Sequence, residues 1–137
     1  MGLQHRCRWS ATGFRAAPET FWRSAGGYAA GGRLAADPRV TAVFCANDEA
    51  AIGLIRAMHE RGRRVPQDVS VVGFDGLSLG EYSFPPLTTV RQPVTAIARA
   101  AVTTLLAGIA GNQTPDTEML FAPDLIVRDS TAAAPID

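Results

Sequence analysis

Residues 40–75, VTAVFCANDEAAIGLIRAMHERGRRVPQDVSVVGFD, decide the fold. The opening run, residues 40–46, is almost wholly apolar and rich in β-branched side chains, which predicts a central parallel strand covered on both faces. Asn47 can then cap a helix, and Asp48 and Glu49 fall in its first turn, where the helix dipole favours carboxylates. Ala51, Leu54, Ile55 and Met58 recur at i, i+3, i+4 and i+7, the apolar stripe of an amphipathic helix. Arg61 and Gly62 have the chemistry of a helix end, and Pro66 keeps the helix from resuming. Residues 69–74 form a second apolar run of the buried-strand type. Strand, helix, strand is a crossover unit, right-handed in nearly all known cases, with both strands parallel in one sheet. The two strands therefore end on the same edge, and open α/β sheets bind small molecules beyond the carboxyl ends of their strands. Asn47, Asp48 and Asp75 stand at that edge.

Downstream, residues 76–93 are rich in turn formers, with Gly76, Gly80 and Pro85-Pro86, before a brief strand at residues 87–90. Residues 94–109 have a helical pattern in which Ile97, Ala101, Val102, Leu105, Leu106 and Ile109 make one apolar stripe, with Gly111 just past the end. That stripe needs a partner. Residues 118–128 read as extended, and Pro123 within them predicts an edge strand or a bend. Upstream of residue 40, a helix over residues 29–36 has Gly31 and Gly32 in its middle, each costing about 1 kcal/mol relative to Ala. Residues 1–20 have no clear pattern, residues 21–131 form the folded part, and residues 132–137 are expected to fray.

The 137 residues carry thirteen basic and thirteen acidic side chains, and every basic one is arginine. A balanced chain has no broad electrostatic footprint for DNA or an anionic membrane. Cys7 and Cys45 match neither a metal-ligand spacing nor a disulfide scaffold, and Cys45 reads as a small buried hydrophobe. The N-terminal region has no continuous apolar stretch, and no segment approaches the roughly 20 apolar residues of a membrane span. The expected location is cytoplasmic. The chain has no G-x-G-x-x-G, G-x-x-x-x-G-K-[ST] or H-E-x-x-H pattern, and His5 and His59 stand apart, with His59 on the polar side of its helix. Neither catalysis, nor a metal, nor a cofactor is expected.

Asn47, Asp48 and Asp75 can hydrogen-bond a polyhydroxyl or heterocyclic molecule, because an amide donates and accepts while a carboxylate accepts strongly from hydroxyls. Spacing alone favours simpler roles, with Asn47 as a cap and Asp75 as the start of a turn before Gly76. Trp22 offers either core packing or a flat face on which a sugar ring or base stacks.

Four segments, VTAVFCANDEAAIG at 40–53, RVPQDVSVVGFDG at 64–76, PPLTTVRQP at 85–93 and APDLIVRDST at 122–131, together resemble the C-terminal half of LacI/GalR transcriptional regulators. They occur in that family's order and with nearly its spacing. Gly13-Phe14, Trp22 and Gly27-Tyr28 are similar to further elements of the family. The resemblance implies a type I periplasmic-binding-protein fold, in which two α/β subdomains clasp a small molecule and an N-terminal helix-turn-helix headpiece reads operator DNA. This chain then carries the C-terminal subdomain, a three-layer α/β arrangement on a parallel sheet, in incomplete form. The resemblance further implies that Trp22 stacks on an effector, that Asn47 and Asp75 are polar effector contacts, and that Gln92 lies near the cleft at a crossover between subdomains. The effector it implies is a sugar or a related metabolite, and the assembly a homodimer that meets operator DNA only through the headpiece.

The chain also departs from the family pattern. Ser10 stands where an effector-binding Arg is common, the stretch between Phe14 and Trp22 is short, and Gly76 replaces the second Asp of G-[FY]-D-D, which is expected to loosen the loop. In the family, the helix at 94–109 packs in the N-terminal subdomain. Three functions remain open on the sequence: the sensing and dimerising part of a regulator, a periplasmic sugar-binding transport component, and a truncated remnant that binds nothing.

Overall fold

The computed structural model describes residues 23–112 and 118–133. Helix α1 (Ser24–Leu34) leads to strand β1 (Ala42–Phe44), helix α2 (Asp48–Glu60) and strand β2 (Ser70–Asp75). A short 3-10 turn (Ser78–Glu81), strand β3 (Thr88–Arg91), helix α3 (Val94–Ile109) and strand β4 (Asp124–Ile126) complete the order. The sheet runs β1-β2-β3-β4. β1 pairs with β2, and β2 with β3, in parallel, as the crossover argument requires. β4 departs from an all-parallel sheet by running antiparallel to β3, with Thr89 opposite Ile126. Pro123 immediately precedes β4, which is the edge position where a missing N–H does least harm.

The apolar core lies between α2 and the sheet. Ala51, Leu54, Ile55 and Met58 are all buried, and they pack with Cys45, Val69, Val71 and Leu87. Burial pushes the Cys45 thiol up to about 12, so it remains protonated and behaves as the hydrophobe expected from its setting. The apolar run predicts a central strand, but β1 stands at one end of the described sheet, and Phe44 is 54% exposed. One face of its apolar run meets the helices, while Phe44 leans edge-on against Phe74 of β2 at 6.4 Å between ring centroids.

α1 begins earlier than the glycine pattern suggested, because α1 is shaped by α2 rather than by its own propensity. Gly26, Gly27, Ala30 and Gly31 are buried, and a Cβ at Gly27 would stand 1.9 Å from the Ala50 carbonyl oxygen. Backbone approach of this kind offsets the entropic cost of glycine in a helix. Above the helix pair, Tyr28 lies beneath the guanidinium groups of Arg56 and Arg61 and donates its hydroxyl to Glu60.

The C-terminal segment is sewn to the sheet by polar groups buried in the interior. Ser130, fully buried, donates its hydroxyl to the Val71 carbonyl at 2.6 Å and accepts from the Thr88 N–H at 2.8 Å. The Thr88 hydroxyl donates to the Arg128 carbonyl and accepts from the Arg128 N–H. α3 matches its expected bounds but has no buried residue, and among the described residues its apolar stripe meets no core. Among the described residues no helix is long and apolar enough to cross a membrane.

Two surface carboxylates are held below the usual carboxylate range by neighbouring arginines. Asp37 accepts from the Arg39 side chain and then from its backbone N–H, which together lower its pKa to about 2, and Arg64 lowers Asp68 in the same way. A carboxylate whose pKa is depressed by folding adds stability above its unfolded pKa and loses it as the pH falls. The urea midpoint should therefore fall between about pH 4 and pH 2, and Asp37→Asn should flatten that slope. A slope unchanged by Asp37→Asn and by high salt would show that the pair is idle.

Candidate functional site

The parallel strands bring their carboxyl ends to one edge, where three of the expected site residues follow. Asn47 is the residue before α2, in extended conformation, and its side-chain oxygen accepts from the Ala50 N–H at 2.8 Å. It is a genuine helix cap. Asp75 ends β2, and Gln92 follows β3. The register pairs Asp75 with Arg91, so Gln92 lies one step beyond. Gln92 Nε2 donates to Asp75 Oδ1 at 2.7 Å, and the Gln92 N–H donates to the Asp75 carbonyl at 3.3 Å.

This doubly bonded pair lies in the wall of an open cleft of about 720 Å³ between the loop after β2 and the start of α3. Leu77, Arg91, Val94 and Arg99 also line it. Asp75 Oδ2 makes no hydrogen bond among the described residues, which leaves a carboxylate oxygen to accept a hydroxyl from within the cleft. Asn47 lies on the same sheet edge but does not line this cleft. Trp22 lies outside the described residues.

The backbone at the cleft calls for glycine at position 76. Asp75 has φ 104° and Gly76 φ 76°. A Cβ at Gly76 would also sit 2.6 Å from Cβ of Arg91, so both the dihedral and the space call for glycine. An aspartate in that second position would strike β3. Asp48, the third polar residue at this edge, is corrected: it is fully buried and cannot touch a ligand. Its Oδ2 accepts from the Leu77 N–H at 2.6 Å and its Oδ1 from the Thr89 hydroxyl at 2.5 Å. Nothing in a first-turn acid announces such burial. The two threonines of PPLTTVRQP were a usable signal, since a buried β3 hydroxyl requires a partner.

Periplasmic binding protein-like domains match residues 2–131. The chain belongs to that family. It is 52% identical over 109 residues to the HTH-type transcriptional regulator MalR of Streptomyces coelicolor, covering 77% of this chain and 32% of that protein. A LacI family regulator from Lactobacillus casei with bound sucrose superposes with a TM-score of 0.70 at 36% identity, over 80% of this chain and 41% of that one. The lac repressor dimer bound to operator and the anti-inducer ONPF gives 0.75 at 34% identity, over 82% and 39%. The chain thus spans about a third of the length of the curated relatives it matches. The family domain is the effector-binding part of LacI-type regulators, which bears out the resemblance carried by residues 40–53, 64–76, 85–93 and 122–131. These relatives are transcriptional regulators and not enzymes.

Proposed function

We propose that this chain forms part of the sensing region of a LacI-type transcriptional regulator and binds a neutral polyhydroxyl molecule, a sugar, against Asp75 and Gln92. The Asp75–Gln92 pair in the wall of the cleft carries this reading. Asp75 accepts ligand hydroxyls, and Gln92, held by Asp75, presents its amide oxygen at the same edge. The bound sucrose of the Lactobacillus casei relative fits this chemistry. Asn47 and Trp22 would complete the contacts from their own elements. The regulator would act in the cytoplasm as a homodimer, consistent with the dimeric lac repressor on its operator, and ligand binding would shift the population of closed forms. The chain itself performs no catalysis in this scheme.

Isothermal titration and thermal unfolding with sucrose, lactose and glucose test it. At least one sugar should raise the melting temperature, and a sugar at about a hundred times its Kd adds about 2.7 kcal/mol. Asp75→Ala removes a charged hydrogen-bond acceptor and should weaken that sugar about tenfold or more. The reading fails if no sugar shifts the transition, or if Asp75→Ala binds as tightly as the parent.

A further inference from the structure

We propose that Asp48 is a positioning residue: its buried carboxylate clamps the loop after β2 to strand β3, and so holds Asp75 and Gln92 at bonding distance. The proposal rests on reading the Asp75–Gln92 cleft as the effector site.

Asp48 joins three elements from the first position of α2. One oxygen takes the Leu77 N–H at 2.6 Å and the other takes the Thr89 hydroxyl at 2.5 Å. Leu77 comes directly after the two positive-φ residues Asp75 and Gly76, and Thr89 stands three residues before Gln92. Both cleft walls are therefore tied to one carboxylate. A positive φ at aspartate is sparsely populated and persists only where the surroundings fix it. The Leu77 anchor does so on one side and the Gln92 bonds do so on the other.

A first-turn acid ordinarily acts on the helix dipole from solvent, and Glu49, which is exposed, fills that role beside it. Asp48 is fully buried, and both its oxygens are engaged away from its own helix. β2 leaves room for it: a Cβ at Gly73 would lie 2.2 Å from Asp48 Oδ1. The glycine of the VVGFD run is thus explained by the carboxylate rather than by the strand.

Three variants separate positioning from bulk stability. In Asp48→Asn the amide oxygen can accept from the Leu77 N–H while the amide NH2 donates to the Thr89 hydroxyl, so both ties survive. Asp48→Ala loses both, and Thr89→Val loses one. Hydrogen exchange of the Leu77 amide and affinity for sucrose, lactose or glucose are the readouts. Asp48→Ala should speed Leu77 exchange and weaken sugar binding, each by about tenfold or more, while Asp48→Asn stays within about threefold and Thr89→Val falls between. Equal losses in Asp48→Asn and Asp48→Ala, or unchanged Leu77 exchange in Asp48→Ala, would overturn the clamp. If Asp48→Ala does not fold, faster Leu77 exchange in Thr89→Val than in Asp48→Asn supports the clamp and the reverse order refutes it. If the parent binds none of the three sugars, the effector reading fails, and the order of Leu77 exchange rates alone decides the clamp.

Discussion

Gly53→Ala should destabilise the chain by about 2 kcal/mol or more, although alanine is the better helix former by about 1 kcal/mol. Gly53 lies in the middle of α2, where a Cβ would stand 1.9 Å from the Ser24 carbonyl oxygen and 2.8 Å from its carbon. The atom struck belongs to backbone at the start of α1, so no side-chain rotation relieves the clash. α1 must move away along its length, and Gly27 against Ala50 and Gly31 against Ala57 lose their contact with it. The control is the same exchange at Gly108 in α3, where nothing lies within 4 Å. Gly108→Ala should leave packing untouched and stabilise by a few tenths to about 1 kcal/mol through helix propensity. Urea denaturation of the two variants checks this. A Gly53→Ala variant at least as stable as the parent would refute the close packing of α1 on α2.

That contrast also shows where the sequence is legible. The unit over residues 40–75 could be read because its signals are local: β-branched runs, an i, i+3, i+4 stripe, and Asn47, Gly62 and Pro66 as punctuation. The structure places α2 and β2 within a residue or two of those signals. α1 could not be bounded the same way. Its glycines argue against a helix until the α2 backbone lies against them, which is a tertiary fact. The orientation of β4 was equally hidden, since Pro123 marks an edge but not a direction.

At the site, shared location was legible and contact was not. The carboxyl-edge rule placed Asn47, Asp48 and Asp75 together, but burial then separated them. Asn47 caps a helix, Asp48 is sealed inside, and Asp75 faces the cleft with Gln92. One-residue steps along a chain change which side of a backbone a side chain serves, and pattern alone does not resolve that for irregular segments. The Ser130–Thr88–Val71 stitching was missed for a related reason: its members lie about 40 to 60 positions apart, and hydroxyl residues are unremarkable until they are buried.

Met58→Ala should cost about 3 kcal/mol, whereas Leu106→Ala should stay within about 0.5 kcal/mol, although both residues belong to apolar helical stripes of the same period. Met58 is fully buried among Leu54, Val69, Val71 and Leu87, so truncation removes contacts from every side and leaves a cavity. Leu106 is 59% exposed, with Val102, Leu105 and Ile109 exposed beside it. Periodicity reports that a helix has an apolar face, but only the structure reports whether that face meets anything. Denaturation midpoints of the two variants, taken at several protein concentrations, separate the cases. A Leu106 cost that approaches the Met58 cost, and that grows with concentration, would mean that α3 buries its stripe against another chain in solution. A small, concentration-independent cost leaves the core where α2 meets the sheet, with α3 contributing its first turn to the cleft and little to stability.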